Sequence, residues 1–351
     1  IATFYDQLAR PEHDRCASAI RREFEVATER VLAVKGCARL LDSEPTLQRS
    51  IRLRNPYVDP IHLMQVDLLR RWRESGRQDV ETFDALVTSA GSVPGEFVNQ
   101  AMPNGKVAPN LAKRGIVGRQ QVNSDVGYVY FNMDDPTVGG YTADKVALRR
   151  AIGLAYDVER EIRTIRRGQA IPAQSILTPH TYGYDPAFKS EMGDHDPARA
   201  KALLDLYGYK DVDGDGWREM PDGKPLLVTR STLPEQVYRE FDTLWKKNMD
   251  AIGIRTVFSV QKFAESLKQA RAGKLQVWSL ANAAADPDGQ SALQRFDSAQ
   301  SGGQNLARFK NARMDEIYKQ LSALPNGPER LALFKEAKQI SVAYMPYKGL
   351  G

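Results

Sequence analysis

The chain has few of the residues that usually build metal centres, reactive thiols or covalent cross-links. Its 351 residues include only two cysteines and four histidines. Cys16 and Cys37 alone cannot supply a disulfide framework, and because both fall in helical patterns we expect buried free thiols. No two histidines stand at the spacing of a zinc site such as His-x-x-x-His. The sequence therefore predicts no zinc centre, and we expect no cofactor.

Long apolar runs, basic runs and the common catalytic motifs are also missing. No stretch approaches the roughly 20 apolar residues of a membrane-spanning helix. The net charge of +5 comes from Lys and Arg scattered among acids, without a basic run interleaved with aromatics, which argues against nucleic-acid binding. No Ser-His-Asp set, Cys-His pair or phosphate loop is evident, so we expect no catalytic residues. The sequence starts at Ile1 and shows no secretory signal, as expected of a fragment or a processed form.

The composition that is present fits a soluble globular protein built from more than one part. Apolar residues make up 42% and charged residues 26%, and 351 residues suffice for two or three domains. Gly and Pro cluster between residues 91 and 109, which marks a boundary. We therefore divide the chain into an all-α segment, 1–90, a junction that leads into the next part, 91–121, and a main body, 122–351.

The first 90 residues carry one long and specific phrase. Ser50–Arg73, which reads SIRLRNPYVDPIHLMQVDLLRRWR, resembles the C-terminal region of phosphoenolpyruvate carboxylase. The resemblance implies that Arg54 belongs to a pocket for the inhibitory amino acid aspartate; alternatively, Arg54 pairs with a neighbouring acid at a helix junction. The catalytic His and Arg/Lys clusters of that family are absent, and carboxylation also needs a divalent metal held by acids. We therefore expect no enzymatic activity from this segment.

The main body is organised around a strand and a long amphipathic helix. Tyr128–Asn132 alternates large apolar residues with others, as a buried strand does. After a turn-rich loop, Thr142 is a candidate N-cap, and apolar residues recur at helical spacing until Gly168 stops the helix. Further along, Glu235–Ile252 is typical of a helix and Ile254–Val260 of a strand. This αβ alternation predicts parallel strands covered by helices.

Several motifs of the main body, in order, resemble the extracytoplasmic solute-binding proteins of ABC transporters, in the peptide- and nickel-binding branch. That family has a strand ending in FN and a helix reading roughly VRxAIxxAxDxxxI. The matching residues are Phe131, Asn132, Val146, Arg149, Ala151, Ile152, Ala155, Asp157 and Ile162. Asp196–Leu204 resembles a later family helix, with Asp196 as N-cap and Pro197 at its first position. The resemblance covers 107–351 and implies an α/β fold, the second lobe of a periplasmic-binding-protein-like receptor, without a counterpart of the first lobe upstream.

The stretch Trp278–Gln290 is the part that the resemblance relates to the ligand. Peptide binders of the family have WxADYxDPxxFL here, and their Asp pairs with the α-amine of the ligand. That position is Ala283 in this chain, so this anchor is missing unless Asp286 or Asp288 takes its place. Trp278 is either a core aromatic or a wall of the ligand site, and Asp286 is either a ligand contact or a turn acid before a proline. The candidate ligand contacts are Asn132, Gln174, Trp278, Asn282, Asp286 and Asp288.

One acidic loop matches the start of a calcium-binding EF-hand. Asp211, Asp213 and Asp215 occupy its first, third and fifth positions, with a glycine at the sixth. The twelfth position holds Asp222 instead of a bidentate Glu, and no flanking helix pair is evident. The three acids are thus either a calcium candidate or a Gly/Asp turn before the strand Leu226–Arg230, and the turn is the preferred interpretation.

The leading hypothesis is the solute-binding component of an ABC importer. It implies a small solute or peptide and a membrane permease as partners, a periplasmic or extracytoplasmic location, a monomer and no cofactor. The alternatives are a catalytically incomplete fragment of phosphoenolpyruvate carboxylase and a composite chain without a function of its own. The abrupt change of resemblance near residue 90 indicates a fusion, an engineered chimera or an artefact of gene assembly.

Overall fold

A computed structural model describes residues 98–118 and 121–351. The chain divides into two compact units, Ile1–Pro94 and Gly95–Gly351, and the described residues all belong to the second. The all-α prediction for 1–90 and the residue Arg54 therefore lie outside the described residues.

The described residues form ten α-helices, five strands and a few short turns of other helix types. The α-helices, numbered in chain order, are α1 Val98–Ala101, α2 Pro109–Ala112, α3 Ala143–Ala155, α4 Val158–Arg160, α5 Pro197–Leu206, α6 Gln236–Asp250, α7 Phe263–Arg271, α8 Gln290–Leu293, α9 Ala312–Ala323 and α10 Pro328–Tyr344. The strands are β1 Asp125–Phe131, β2 Leu227–Thr232, β3 Arg255–Val260, β4 Val277–Ala283 and β5 Tyr347–Gly349. Short 3-10 turns cover Pro103–Gly105, Glu191–Gly193, Gln294–Phe296 and Ser298–Gln300, and Glu161–Ile165 is π-helical. Within these ranges, no helix has the length and apolar character needed to cross a membrane.

The five strands form one sheet in the order β3-β2-β4-β1-β5. β2 pairs in parallel with β3 and with β4, whereas β1 pairs antiparallel with both β4 and β5. The predicted parallel arrangement is therefore confirmed for β2, β3 and β4 but is wrong for β1. A helical crossover fixes the relative direction only of the strands that it joins directly, and β1 is not joined to β4 in this way.

The sheet is covered on both faces, because alternate side chains of each strand point to opposite sides. Along β1, Val129 and Phe131 belong to one buried cluster, which includes apolar residues of α3, α5 and α6. Tyr128 and Tyr130 belong to a second buried cluster, which includes residues of α7, α9 and α10. Two aromatic-rich cores on either side of a sheet are the arrangement expected of an α/β fold.

The helix predicted to run to Gly168 is shorter than expected. It begins after Thr142, which holds the N-cap position but makes no side-chain capping bond, and it ends at Ala155. The next residue but one, Asp157, starts a new turn, because its carboxylate accepts a hydrogen bond from the Arg160 N–H at 2.8 Å. The predicted cap at Asp196 is confirmed, since it accepts from the N–H of Arg199 at 2.9 Å.

The chain enters β1 and leaves β5 at the same edge of the sheet. The N–H of Gly127 donates to the carbonyl of Gly351 at 3.0 Å, and the N–H of Leu350 donates back to Gly127 at 2.8 Å. On the other side of β1, the N–H of Ala284 donates to the carbonyl of Ser124 at 2.7 Å. Both connections therefore lie beside the carboxyl end of β4.

Candidate ligand-binding site

The carboxyl ends of β2, β3 and β4 lie at one edge of the sheet, because these three strands run parallel. Ligands of open α/β sheets bind in the crevice outside such strand ends. β4 ends at Ala283, and a loop carries the chain from there to α8. We refer to residues 280–289, which include the last residues of β4 and this loop, as the β4 end.

One face of the β4 end carries a buried cation. Arg295 is 9% exposed, and its Nη2 donates to Oδ1 of Asn282 at 2.7 Å. Its Nε donates to the hydroxyl of Tyr128 at 3.2 Å, and its guanidinium carbon lies 5.5 Å from the centre of the Tyr128 ring. Both hydrogen-bond acceptors are neutral, and among the described residues no carboxylate forms an ion pair with Arg295. The predicted contact Asn282 is thus part of a cationic cluster of Asn282, Tyr128 and Arg295.

The two acids of the loop are engaged in local structure. Oδ1 of the exposed Asp286 accepts from the N–H of Asp288 at 2.8 Å, which is the geometry of a turn acid. Asp288 accepts from the N–H of Gln290 at 3.0 Å and forms an ion pair with the buried Arg330 at 2.7 Å. Asp288 therefore already neutralises one cation, whereas Asp286 is exposed and forms no ion pair among the described residues.

Trp278 belongs to the core rather than to an open surface. Its side chain is 2% exposed and lies within the second buried cluster. The ring centroid of Phe263 lies 5.6 Å from that of Trp278, and Phe263, at the start of α7, is 49% exposed. The aromatic side chain that solvent reaches at this place is therefore Phe263.

Asn132 and Gln174 are not brought together with the β4 end. Asn132 lies at the opposite end of β1, where its amide donates to the carbonyls of Gly273 at 2.9 Å and Leu275 at 3.1 Å. Gln174 lies beyond β5, where its Oε1 accepts from the N–H of Ser190 at 2.8 Å. In this structure, both side chains hold loops in place.

We expect the substitution Asn132→Ala to lower the free energy of unfolding by about 1–3 kcal/mol, because it leaves buried carbonyl groups without donors. Chemical denaturation measures the change. The same substitution at the exposed Asn110 of α2 should change stability by less than ~0.5 kcal/mol. An Asn132→Ala protein of unchanged stability that binds ligand less well would contradict the structural role and support the original interpretation of Asn132 as a ligand contact.

A second buried arginine bonds to β4 from the opposite face of the sheet. Arg230 of β2 donates from Nη2 to the hydroxyl of Ser279 at 3.0 Å, and its guanidinium carbon lies 4.3 Å from the ring centre of Trp245. Its Nε and Nη1 are buried without a hydrogen-bond partner among the described residues. Burial raises the pKa of Asp242, while a hydrogen bond from Thr232 and the charge of Arg230 act in the opposite direction.

The calcium candidate has its carboxylates together on an exposed loop. Oxygens of Asp211, Asp213 and Asp215 lie within 4.8 Å of one another. The carboxylate of Asp211 accepts from two backbone N–H groups, and those of Asp213 and Asp215 accept from one each. Asp215 also forms an ion pair with Arg255 at 2.8 Å. These bonds give the three acids a role in the turn, in line with the preferred interpretation.

The residues that sequence reasoning missed are Tyr128, Phe263 and Arg295. Arg295 could have been identified from the sequence, because it is a charged residue in an apolar segment. It directly precedes Phe296 and closely follows Ala292 and Leu293, all of which are buried. A charge within such an apolar segment is seldom buried without a partner. Phe263 was harder to identify, because the sequence does not distinguish an exposed aromatic residue at the start of a helix from a buried one.

The sheet order, its covered faces and a polar edge beside both chain connections are typical of one lobe of a solute receptor. The family described as "Bacterial extracellular solute-binding proteins, family 5 Middle" matches residues 79–304, and the chain belongs to this family. A second family, "Phosphoenolpyruvate carboxylase", matches residues 1–102. Both resemblances predicted from the sequence are therefore confirmed.

Curated relatives fall into the same two groups. "Heme-binding protein A" of Haemophilus influenzae is 28% identical over 229 residues, which is 63% of this chain and 38% of that protein. "Phosphoenolpyruvate carboxylase" of Xanthomonas campestris pv. campestris is 44% identical over 93 residues, 26% of this chain and 10% of the enzyme. The chain thus spans well under half the length of the relatives that it matches.

Solved structures confirm the fold. The oligopeptide-binding protein AppA of Bacillus subtilis, in complex with a nonapeptide, superposes with a TM-score of 0.58 at 19% identity, covering 66% of this chain and 45% of AppA. NikZ of Campylobacter jejuni, in complex with Ni(L-His), gives a TM-score of 0.56 at 20% identity over 66% of this chain and 45% of NikZ. The predicted α/β fold, a periplasmic-binding-protein lobe, is therefore correct, and the main body resembles proteins that bind solutes rather than enzymes.

Proposed function

We propose that residues 122–351 serve as the second lobe of an extracytoplasmic solute receptor that delivers a small solute or peptide to an ABC permease. The observation that carries this proposal is the position of both chain connections beside the β4 end. A first lobe attached there would face the β4 end across a cleft, and solute-binding proteins of this type close two lobes around the ligand. Ligand pockets favour such interfaces between domains. On this proposal, residues 91–121 lead into the lobe and the receptor works as a monomer.

The proposed contacts lie at the β4 end and on the same face of the sheet. Asn282 and Asp286 belong to the β4 end itself. Arg295 supplies a cation beside it, and Phe263, which contacts Trp278 on the same face, supplies an exposed apolar surface. The buried ring of Trp278 packs against the ring of Phe263 and holds it in position, so Trp278 contributes to binding only indirectly.

The test is ligand titration of the isotope-labelled chain, followed by NMR. We expect haem, an oligopeptide pool or Ni–histidine to shift backbone resonances of the β4 end and of Phe263. Because one lobe provides one wall of such a cleft, we expect a dissociation constant of about 1 mM or weaker for binding to this lobe alone, corresponding to ~4 kcal/mol. If none of these probes shifts the β4 end, or if shifts gather elsewhere, the proposal fails.

A second candidate function rests on the N-terminal match to phosphoenolpyruvate carboxylase, which is 44% identical over 93 residues. On this alternative the segment is a catalytically incomplete regulatory piece, in which Arg54 contributes to an aspartate pocket. We expect no carboxylation of phosphoenolpyruvate with bicarbonate and magnesium, because the matched segment is only 10% of the enzyme. Measured turnover would contradict this expectation.

A further inference from the structure

Two buried arginines bond to β4 from opposite faces of the sheet, and among the described residues neither forms an ion pair. The charge of Arg230 nevertheless acts on the carboxylate of Asp242, whereas Arg295 has only neutral hydrogen-bond acceptors. Arg295 bonds to Asn282 at 2.7 Å and Arg230 bonds to Ser279 at 3.0 Å. Burying a charge is expensive unless it is paired and hydrogen-bonded, so buried cations normally have a carboxylate nearby. On the face of the sheet that carries Tyr128 and Asn282, Arg295 is therefore a buried cation without an ion-pair partner among the described residues.

Two other buried arginines of this unit differ from Arg295 in their hydrogen-bond partners. Arg330 forms an ion pair with Asp288 at 2.7 Å and donates to the carbonyl of Leu321 at 3.1 Å. Arg149 donates to three backbone carbonyls, at distances of 2.7, 2.9 and 3.0 Å, and its Nη2 is buried without a partner among the described residues. Arg295 has only an amide oxygen and a phenol as acceptors. Arg295 and Arg330 both contact the β4 end, through Asn282 and Asp288, but only Arg330 has a carboxylate as its partner there.

The acids near the β4 end do not serve Arg295. Asp288 is committed to Arg330. Asp125 pairs with Ala283 across the strands, and since residues of one strand alternate between faces, it lies on the face opposite to that of Asn282 and Tyr128. Asp286 is exposed and holds its own turn. The guanidinium of Arg295 thus keeps its charge available for a ligand.

We propose that the solute bound by this lobe is an anion whose carboxylate is held by Arg295, with Asn282 and Tyr128 fixing the orientation of the guanidinium. The inference rests on the proposed function and names the ligand class of the same site. A guanidinium matches the planar geometry of a carboxylate and binds it with charge-assisted hydrogen bonds. Half-buried Leu280 and exposed Phe263 lie on the same face, so the ligand carries an apolar part next to its carboxylate.

The experiment compares two dipeptide probes that differ in the charged group. N-acetyl-Ala-Phe has a carboxylate and no amine, whereas Ala-Phe-amide has an amine and no carboxylate. We expect the acetylated probe to shift the Nε–H resonance of Arg295 saturably in the unmodified chain, and the amide probe to leave it unchanged. This comparison needs no variant, so it decides the proposal even if substitutions at Arg295 impair folding.

Variants measure the size of the effect. We expect Arg295→Gln to weaken binding of the acetylated probe at least tenfold and Arg295→Lys, which keeps the charge but loses the planar fork, to weaken it less. Arg239→Gln removes one exposed charge from α6 and should not alter binding, and neither should Asp125→Asn.

The outcomes distinguish the proposal that this lobe belongs to a solute receptor from the proposal that its ligand is an anion held by Arg295. Two results would show that the ligand is not an anion held by Arg295 while leaving the receptor proposal intact. One is that Ala-Phe-amide binds the β4 end better than the acetylated probe. The other is that Asp125→Asn abolishes binding while Arg295→Gln does not. If neither dipeptide binds while haem, the peptide pool or Ni–histidine shifts the β4 end without affecting Arg295, the anion proposal fails alone. If no probe of either experiment reaches the β4 end, both proposals fail.

Discussion

Replacing Trp278 by Ala is expected to lower the free energy of unfolding by about 3–5 kcal/mol, the usual cost of deleting a large buried aromatic side chain. Trp278 is 2% exposed and packs between β4 and α7, where its ring contacts that of Phe263. The cavity left by the indole cannot be filled without moving β4, whose pairing with β1 extends over all seven residues of the strand. Urea denaturation monitored by far-UV circular dichroism measures the change.

The matched control is Phe263→Ala, which removes the exposed partner of the same aromatic contact. We expect it to cost about 1 kcal/mol, because much of the Phe263 ring already lies in water. It should nevertheless weaken ligand binding, whereas Trp278→Phe should leave binding intact. A Trp278→Ala protein that keeps its stability and loses only binding would show that Trp278 is a ligand wall after all.

The second prediction with a large effect concerns Lys348, a buried lysine of β5. Burial lowers the pKa of its ammonium group from 10.5 to about 8, although the charges of Asp194, Glu191 and Glu161 act to raise it. Its Nζ donates to the carbonyl of Met192. Since the folded protein gives up this proton at a lower pH than the unfolded chain does, the unfolded state binds more protons above pH 8. The free energy of unfolding contributed by Lys348 therefore rises with pH through this range.

Between pH 7 and pH 9.5 we expect this contribution to increase stability by about 2 kcal/mol. Lys348→Met should remove this rise, whereas Lys268→Met, at an exposed position of α7, should keep it. The comparison stops at pH 9.5 because burial raises the pKa of Tyr156 and Tyr347, so that unfolding becomes easier above pH 10, where the unfolded tyrosines ionise. Equal pH slopes for Lys348→Met and the unmodified chain would show that Lys348 does not titrate in this range.

The secondary structure could be predicted wherever the signal is local. The helix expected over Glu235–Ile252 is present as Gln236–Asp250, and Asp196 caps its helix as expected. The prediction failed at Tyr156, where the helical pattern continues but the helix does not. There the buried carboxylate of Glu161 accepts from the Tyr156 hydroxyl at 2.5 Å and from Arg166 at 2.6 Å. A network of this kind competes with the regular helix, and apolar periodicity does not reveal it.

The candidate site was predicted in part, because its residues meet through the sheet. Asn282 was identified from its place in the motif, but its partner Arg295 lies 13 residues further along the chain. Tyr128 lies 167 residues before Arg295 and comes close only because β1 and β4 are paired in one particular register. Sequence alone does not show that register. It also could not decide between the two roles of Trp278, since a core aromatic and a ligand wall have the same sequence pattern.

The residues that lead into β1 and those that follow β5 lie close together, and this affects how the lobe can recombine with other proteins. The N–H of Gly127 donates to the carbonyl of Gly351 at 3.0 Å, so the first residues of β1 lie next to the residues that follow β5. A domain whose two ends lie close together can be inserted into a loop of another protein without distorting the fold of either one. Recombination can therefore place quite different sequences next to such a module while its own fold is preserved.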